Sequence, residues 1–407
     1  MNISLLGSTG SIGQSTLDVI RQNSDRFGVY ALVAGRNTEL LCSQILEFQP
    51  RVAITADEAS LEELRQNLGA SNLPRAEWPE LASGAKARVA AATDGETDFV
   101  MSAIVGVAGL EATYAAIRKR KRIGLANKEV LVASGRLVMA AVKEIGTELI
   151  PVDSEHNGAH QCFRAGTREE VTRLLLTASG GPFRDTPADR LWQVTPAEAL
   201  NHPTWKMGPR ITIDSATMMN KGFEVIEACW LFDLPASKVD VVVHPQSSIH
   251  AMVEFNDGSV IAQMSATDMR MPIQYAMTYP ERHKAPVPRL DWTETRSWQF
   301  SAPDLNKFRL LKLAYEAQNQ GGAATCALNA ADEIAVEAFL EGKIPFPAIA
   351  TVVEETLARQ DMREPATIGD VLAIDLESRA LARKILQEPH GTAGAMGTNA
   401  GSKRSGI

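Results

Sequence analysis

The sequence predicts an α/β protein with an N-terminal Rossmann-like, doubly wound parallel sheet, a central α+β catalytic domain and a C-terminal helical bundle. Three observations carry that expectation. Over residues 1–150, short β-branched or apolar runs at 3–6, 29–33, 52–54, 99–104, 122–126 and 148–152 alternate with stretches of helical period, the rhythm of βαβ units on a parallel sheet. From 151 to 285 the texture changes to strands with polar, Gly- and Pro-punctuated connections, including a hairpin-like pair at 249–255 and 260–266 joined through Asn256-Asp257-Gly258. An extended connection at 286–306, with Pro286, Pro288 and Pro303, leads to helical patterns near 307–320, 324–341, 347–359 and 376–387 in a domain of 307–388. The tail at 389–407 has no apolar period and is expected to be disordered.

Composition narrows the function classes. A net charge of -8 leaves no surplus of Lys and Arg to neutralise a phosphate backbone, so nucleic acid is disfavoured as a partner; the basic run from Arg118 to Arg122 reads as a solvated helix end. Four scattered cysteines, with no C-x-x-C pair, argue against a disulfide framework or a thiolate zinc site and fit a reducing compartment. With no long apolar run and no cleavable leader pattern before the first strand, no membrane association is expected and the cytoplasm is the expected location.

The first strand ends in Gly7-Ser8-Thr9-Gly10-Ser11-Ile12-Gly13 and a helix follows directly. Glycines there let backbone N–H groups and the positive helix end approach a pyrophosphate; a tight structural turn is the alternative, and the position directly after an N-terminal strand favours the nucleotide. After the second strand pattern stands Gly35-Arg36-Asn37, where an NAD site would place an acid. A guanidinium at that point attracts a 2'-phosphate, so NADPH is favoured over NADH; the bland alternative is an ordinary surface arginine.

Asp153 and Glu155 lie two apart at the end of the strand pattern 148–152, the edge where open α/β sheets bind ligands. Glu224 and Glu227 share one helix face and offer a third carboxylate, Glu224 being the preferred ligand and Glu227 reading rather as a surface or supporting acid. Oxygen donors with open positions suit Mg2+ or Mn2+. His156 and His160 have the i, i+4 spacing of a zinc helix but lack the glutamate such a site needs. Ser179-Gly180-Gly181, Ser215 and Asn220-Lys221 offer hydroxyl, amide and ammonium donors for a phosphate, and Lys128 follows an apolar strand into the same crevice. The loop 201–209, with His202, Trp205 and Met207 among two prolines, reads as a flap that closes over a ligand, or else as a static packed loop.

Taken together and in this order, these motifs resemble the deoxyxylulose phosphate reductoisomerase family. The matching pieces are the glycine-rich turn, Leu125-Ala126-Asn127-Lys128-Glu129, Pro151-Val152-Asp153-Ser154-Glu155-His156-Asn157, and Thr177-Ala178-Ser179-Gly180-Gly181-Pro182-Phe183. With them go His202-Pro203 with Trp205 and Met207-Gly208, Asp214-Ser215-Ala216-Thr217-Met218-Met219-Asn220-Lys221-Gly222, and His244-Pro245-Gln246-Ser247 with His250. The likeness runs from residue 1 to about 388; Ala178 stands where some relatives carry Gly.

The resemblance implies that Asp153, Glu155 and Glu224 bind the metal, that Lys128 and Ser154 contact the substrate near its reacting carbons, and that Ser179, Ser215, Asn220 and Lys221 hold its phosphate. His202 and Trp205 would sit on the flap, His250 near the active site, and Thr9, Gly10, Ser11, Ile12, Gly35, Arg36, Asn37, Asn127, Glu129 and Gly208 along NADPH. A homodimer is implied. So is the reaction, a metal-assisted rearrangement of 1-deoxy-D-xylulose 5-phosphate by retroaldol cleavage and aldol rejoining, then hydride transfer to give 2-C-methyl-D-erythritol 4-phosphate for isoprenoid synthesis. Two rivals are an NADPH-dependent dehydrogenase of semialdehyde or hydroxy-acid type, which would survive chelation, and a non-catalytic NADPH sensor.

Overall fold

The structure, a computed structural model, describes residues 1–205 and 207–388; the expectation for the tail at 389–407 lies outside them. Seven strands, β1 (Asn2–Leu6), β2 (Gly28–Val33), β3 (Val52–Thr55), β4 (Glu80–Ser83), β5 (Phe99–Ser102), β6 (Arg122–Leu125) and β7 (Leu149–Pro151), form one sheet in the order β4-β3-β2-β1-β5-β6-β7. Every pairing is parallel. Ile3, Leu5, Leu32, Phe99 and Met101 are fully buried in the core between the sheet and its helices. The short runs of β-branched and apolar residues are what such a two-sided burial requires. β4 has no such signal, because Glu80-Leu81-Ala82-Ser83 is an edge segment with one exposed and three half-buried residues.

The strand order reverses between β1 and β5, which opens a crevice at their C-terminal ends. Gly7 turns there with φ +97°, and a Cβ on it would sit 2.5 Å from the Ala103 carbonyl oxygen; one on Gly13 would sit 2.3 Å from that of Gly7. These two glycines are therefore required for the helix Ser11–Arg21 to start so close to the sheet edge.

A second, mixed sheet of β8 (Val171–Ala178), β9 (Val239–Val243), β10 (Ile249–Phe255) and β11 (Val260–Met264) runs in the order β11-β10-β8-β9. The hairpin β10–β11 turns at Gly258, φ +84°, and β11 ends at Met264, two residues short of the 266 that the alternation suggested. Helices Ser154–Cys162 and Met219–Leu231 pack on this sheet, and Ala159, Cys162, Val225 and Ala228 share its apolar cluster. Helix Arg270–Thr278 turns back to the first sheet, where Ile273, Tyr275, Ala276 and Met277 join the core of β1 and β5.

Residues 286–306 are extended, and Ser301 exchanges backbone hydrogen bonds of 2.8 and 3.1 Å with Val243. His244 pins this stretch. Its ring stacks on Phe300 at 4.8 Å, its Nε2 accepts from the Ser248 and Ile249 amides, and its Nδ1 therefore donates to the Gln299 carbonyl at 3.1 Å. Helices Arg309–Gln320, Ala324–Leu340, Ala348–Arg359 and Ile368–Gln387 close the fold around Leu328, Phe339, Phe346 and Ile349. The last helix starts at Ile368, ahead of the expected 376, because Thr367 and Asp370 form a reciprocal capping box. The basic run also needs correction: Arg118 ends a helix, but Arg122 opens β6, half-buried against Glu148 and donating to the Tyr279 carbonyl at 2.8 Å. No described helix is long and apolar enough to cross a membrane.

Candidate active site

Strands β6 and β7 end side by side, and each delivers a charged residue to the same edge. Lys128 caps helix Glu129–Ile145, and Asp153 caps helix Ser154–Cys162, its carboxylate accepting from the Glu155 amide at 3.1 Å. Glu155 stands on the first turn, where helical geometry carries its side chain back over Asp153. The third acid arrives from helix Met219–Leu231, which a residue in left-handed conformation, Met218 at φ +62°, separates from helix Pro209–Thr217. Glu224 thereby faces the pair: oxygens of Asp153, Glu155 and Glu224 all lie within 4.8 Å of one another.

Two ammonium groups thread this acidic cluster. Lys128 Nζ reaches Asp153 at 2.9 Å, the Asn220 amide oxygen at 2.7 Å and Glu224 at 3.5 Å; Lys221 Nζ reaches Glu155 at 2.7 Å and also contacts Glu224. Burial works against the charge on Lys128, but Asp153, Glu224 and Glu227 outweigh it and hold the amine well above its ordinary value. Burial likewise opposes ionisation of Asp153, yet Lys128 keeps that carboxyl well below the usual range. Glu224 behaves in the opposite way: burial, then repulsion from Asp153 and Glu155, push it up to about 8. Burial penalises the charge on both Asp153 and Glu224, but Lys128, His156 and Lys221 favour it on Asp153, whereas repulsion from Asp153 and Glu155 adds to the penalty on Glu224. Three hard oxygen donors, two at the start of one helix and one in the second turn of another, fit a Mg2+-type cation.

A second group of donors faces this cluster across a cavity of about 520 Å³. Gly180 and Gly181 (φ +83° and +67°) turn the chain after β8 so tightly that a Cβ on Gly181 would meet the Ser215 carbonyl oxygen at 2.7 Å. Ser179 and Ser215 are thereby brought to either side of His202, whose Nε2 lies 3.1 and 3.0 Å from their hydroxyls. His202 Nδ1 accepts from the amides of Thr204 and Trp205 at 3.1 and 2.9 Å, so the proton of the neutral ring sits on Nε2, aimed at the two serines. Burial lowers the pKa of His202, which keeps it neutral. Trp205 and Met207 also line the cavity.

Of the residues singled out in the sequence, Ser11, Ile12, Lys128, Asp153, Ser154, Glu155, Ser179, His202, Trp205, Ser215, Asn220, Lys221, Glu224 and His250 all line this one cavity. Thr9, Gly10, Gly35, Arg36, Asn37, Asn127, Glu129 and Gly208 do not. Thr9 and Gly10 belong to the glycine-rich turn; Gly35 to Asn37 follow β2, with Arg36 86% exposed and 3.6 Å from Asp57, and Asn37 capping helix Thr38–Phe48. Asn127 donates to the Gly106 carbonyl at 3.0 Å and so ties the β5 and β6 ends together. His156 and His160 do not converge. His156 Nε2 bonds the Glu224 carbonyl at 2.8 Å and its Nδ1 faces Glu227 at 3.4 Å, while His160 turns to Tyr275 at 3.0 Å.

A family model described as 1-deoxy-D-xylulose 5-phosphate reductoisomerase matches residues 3–135, and models of that enzyme's C-terminal domains match 149–232 and 264–381. A relative from Solibacter usitatus bearing the same name is 65% identical over 383 residues, covering 94% of this chain and 96% of its own length. The chain belongs to the 1-deoxy-D-xylulose 5-phosphate reductoisomerase family. A reductoisomerase from Geobacter metallireducens is 50% identical over 94% of this chain and 98% of its own. Among solved structures, the Zymomonas mobilis reductoisomerase in complex with NADPH superposes with a TM-score of 0.87 at 47% identity, covering 95% of this chain and 99% of its own. A reductoisomerase complex with NADPH, fosmidomycin and magnesium gives 0.89 at 41% identity, covering 95% and 98%.

The reductoisomerase cavity also contains residues to which the sequence assigned no role. Ser247, Thr267, Asp268 and Met269 are among them. Ser247 holds φ +48°, a conformation that a non-glycine residue rarely adopts. Its motif, His244-Pro245-Gln246-Ser247, was visible in the sequence; the strained backbone that presents the hydroxyl was not.

Proposed function

We propose that this chain rearranges 1-deoxy-D-xylulose 5-phosphate and reduces it to 2-C-methyl-D-erythritol 4-phosphate, using NADPH and a divalent cation. The observation that carries the reading is the meeting of Asp153, Glu155 and Glu224 in the same cavity as Ser11 and Ile12, the first residues of helix Ser11–Arg21. When bound, the cation supplies Lewis acidity at the substrate's carbonyl and hydroxyl oxygens and NADPH supplies hydride.

In this reading Asp153, Glu155 and Glu224 hold magnesium or manganese, and Ser154 and Lys128 contact the substrate beside it. Lys128 remains protonated, which suits it to stabilise a developing alkoxide rather than to remove a proton. Ser179, Ser215, Asn220 and Lys221 hold the phosphate, the His202 Nε2–H helping to orient the serine hydroxyls. Lys221 serves two anions here: its contacts with Glu155 and Glu224 leave it at the boundary between the acidic cluster and the phosphate donors. Trp205 and Met207 exclude water when the loop closes, which protects the rearranged aldehyde until it is reduced. On the nucleotide side, Thr9, Gly10, Ser11 and Ile12 take the pyrophosphate, Gly35, Arg36 and Asn37 the adenosine 2'-phosphate, and Asn127, Glu129 and Gly208 the nicotinamide half.

The reading extends to a cytoplasmic homodimer. Its support is four buried free thiols and, on the edge strand β11, the exposed Val260 and Ile261 next to a sheet edge that no other strand among the described residues pairs. The test follows NADPH absorbance with deoxyxylulose phosphate: oxidation that requires Mg2+ or Mn2+ and stops on chelation is expected, and turnover that persists after exhaustive chelation refutes the metal role.

A further inference from the structure

A buried cation outside the cavity links three parts of the molecule. Arg210 is the second residue of helix Pro209–Thr217, immediately after the loop 201–209, and its side chain is 19% exposed. Its Nη1 lies 2.8 Å from Glu129 Oε1 and 2.8 Å from Glu333 Oε1, and its Nη2 donates to Asn329 Oδ1 at 2.9 Å. Asp214 and Asp332 approach it at 3.7 and 3.9 Å. Glu129 is the neighbour of Lys128 and opens helix Glu129–Ile145; Asn329 and Glu333 belong to the C-terminal helix Ala324–Leu340. Glu333 is itself fixed by Arg379 at 2.8 Å and stands against Gly106, the residue whose carbonyl Asn127 holds.

We propose that Arg210 is a positioning residue for the nicotinamide half of the cofactor. It locks the root of the flap and the Glu129 carboxylate to one rigid point, the C-terminal helix. The inference rests on the reading above that Glu129 lines the NADPH site. A planar guanidinium serves two carboxylates and an amide at once, each in a fixed direction, which a lysine ammonium cannot reproduce. The C-terminal helices, which contribute no residue to the cavity wall, thereby acquire a role in the reaction: they hold the frame against which the flap moves.

The test measures KM for NADPH, KM for deoxyxylulose phosphate, kcat and Mg2+ affinity for Arg210→Met, Arg210→Lys, Glu129→Gln and the double variant Arg210→Met/Glu129→Gln, with thermal melts as the fold control. Arg210→Met is expected to raise the NADPH KM at least tenfold while Mg2+ affinity stays within twofold, and Arg210→Lys to recover part of the loss. The double variant should be no worse than the poorer single one, because both remove the same contact. An unchanged NADPH KM in Glu129→Gln removes the underlying reading of the site. A raised KM there with an unchanged one in Arg210→Met, additive effects in the double variant, or a loss of kcat alone that tracks the unfolded fraction each overturns the inference. Should Arg210→Met not fold, Asn329→Leu takes its place, with a several-fold rise in NADPH KM expected and an unchanged KM overturning the idea.

Discussion

Replacing Glu224 by Gln removes one unit of charge from the acidic cluster proposed to hold the metal and changes little else in shape. Asp153, Glu155 and Glu224 carry three formal negative charges against the two ammonium groups of Lys128 and Lys221, so a dication takes the ionised cluster from −1 to +1. In the variant it would take it from 0 to +2. A unit charge pair at about 4 Å is worth about 4 kcal/mol at an effective dielectric near 20 and about 1.4 kcal/mol is one decade; wild-type Glu224 gives back about one decade at pH 7 because its proton must leave before the cation binds, so Mg2+ affinity should fall by roughly a hundredfold or more. Turnover should fall with it. The metal-free protein should behave otherwise: Glu224, pushed up to about 8, is already largely protonated at pH 7, and an amide mimics that form. Lys128 keeps Asp153 and Asn220, and Lys221 keeps Glu155. The expected outcome is an unchanged or higher melting temperature without metal, normal NADPH binding by fluorescence, and loss of Mg2+ binding by calorimetry. Mg2+ affinity within threefold of wild type, or near-normal turnover, would refute the reasoning.

Three further outcomes follow from the geometry. Arg36→Asp places a second acid beside Asp57 and should raise the NADPH KM by about a hundredfold while affecting NADH far less, as steady-state kinetics with the two cofactors will show; an unchanged preference removes Arg36 from the site. Gly13→Ala forces a Cβ to within 2.3 Å of the Gly7 carbonyl oxygen and should cost about 2 kcal/mol in urea unfolding together with NADPH affinity; normal values of both would show that the turn yields easily. Burial, then Arg164, lowers His160 to about 4, so the unfolded chain binds its proton first and stability falls as pH drops from about 6.5 to 4, by at most about 3 kcal/mol. His160→Gln should flatten that acid limb in denaturation series at fixed pH, and an unaltered slope would assign the acid sensitivity to other groups.

Much of the fold and the cavity wall could be read from residue order because their signals are local. The glycines of the first turn, the pair Asp153 and Glu155 after an apolar strand, and the Ser179-Gly180-Gly181 turn each announce a backbone shape and a set of donors together. What the sequence concealed is set by long-range pairing. Lys221 reads as a phosphate donor, but the left-handed residue Met218 sets the phase of its helix and turns its ammonium toward Glu155 and Glu224 as well. Arg210 gives no signal at all, since its partners Glu129 and Asn329 lie 81 and 119 residues away. The strand Glu80–Ser83 escaped because an exposed edge needs no apolar alternation, and the first two turns of helix Ile368–Gln387 because their start is set by the local capping box of Thr367 and Asp370.

Helix Arg270–Thr278 works like a stitch. It is encoded more than a hundred residues after the seven-stranded sheet ends, yet it clothes that sheet with Ile273, Tyr275, Ala276 and Met277. Cutting the gene after residue 150 would strip this cover and leave greasy surface bare, so the first 150 residues expressed alone should aggregate. A soluble minimal fragment of the seven-stranded sheet would have to carry the helix with it, joined by a designed linker.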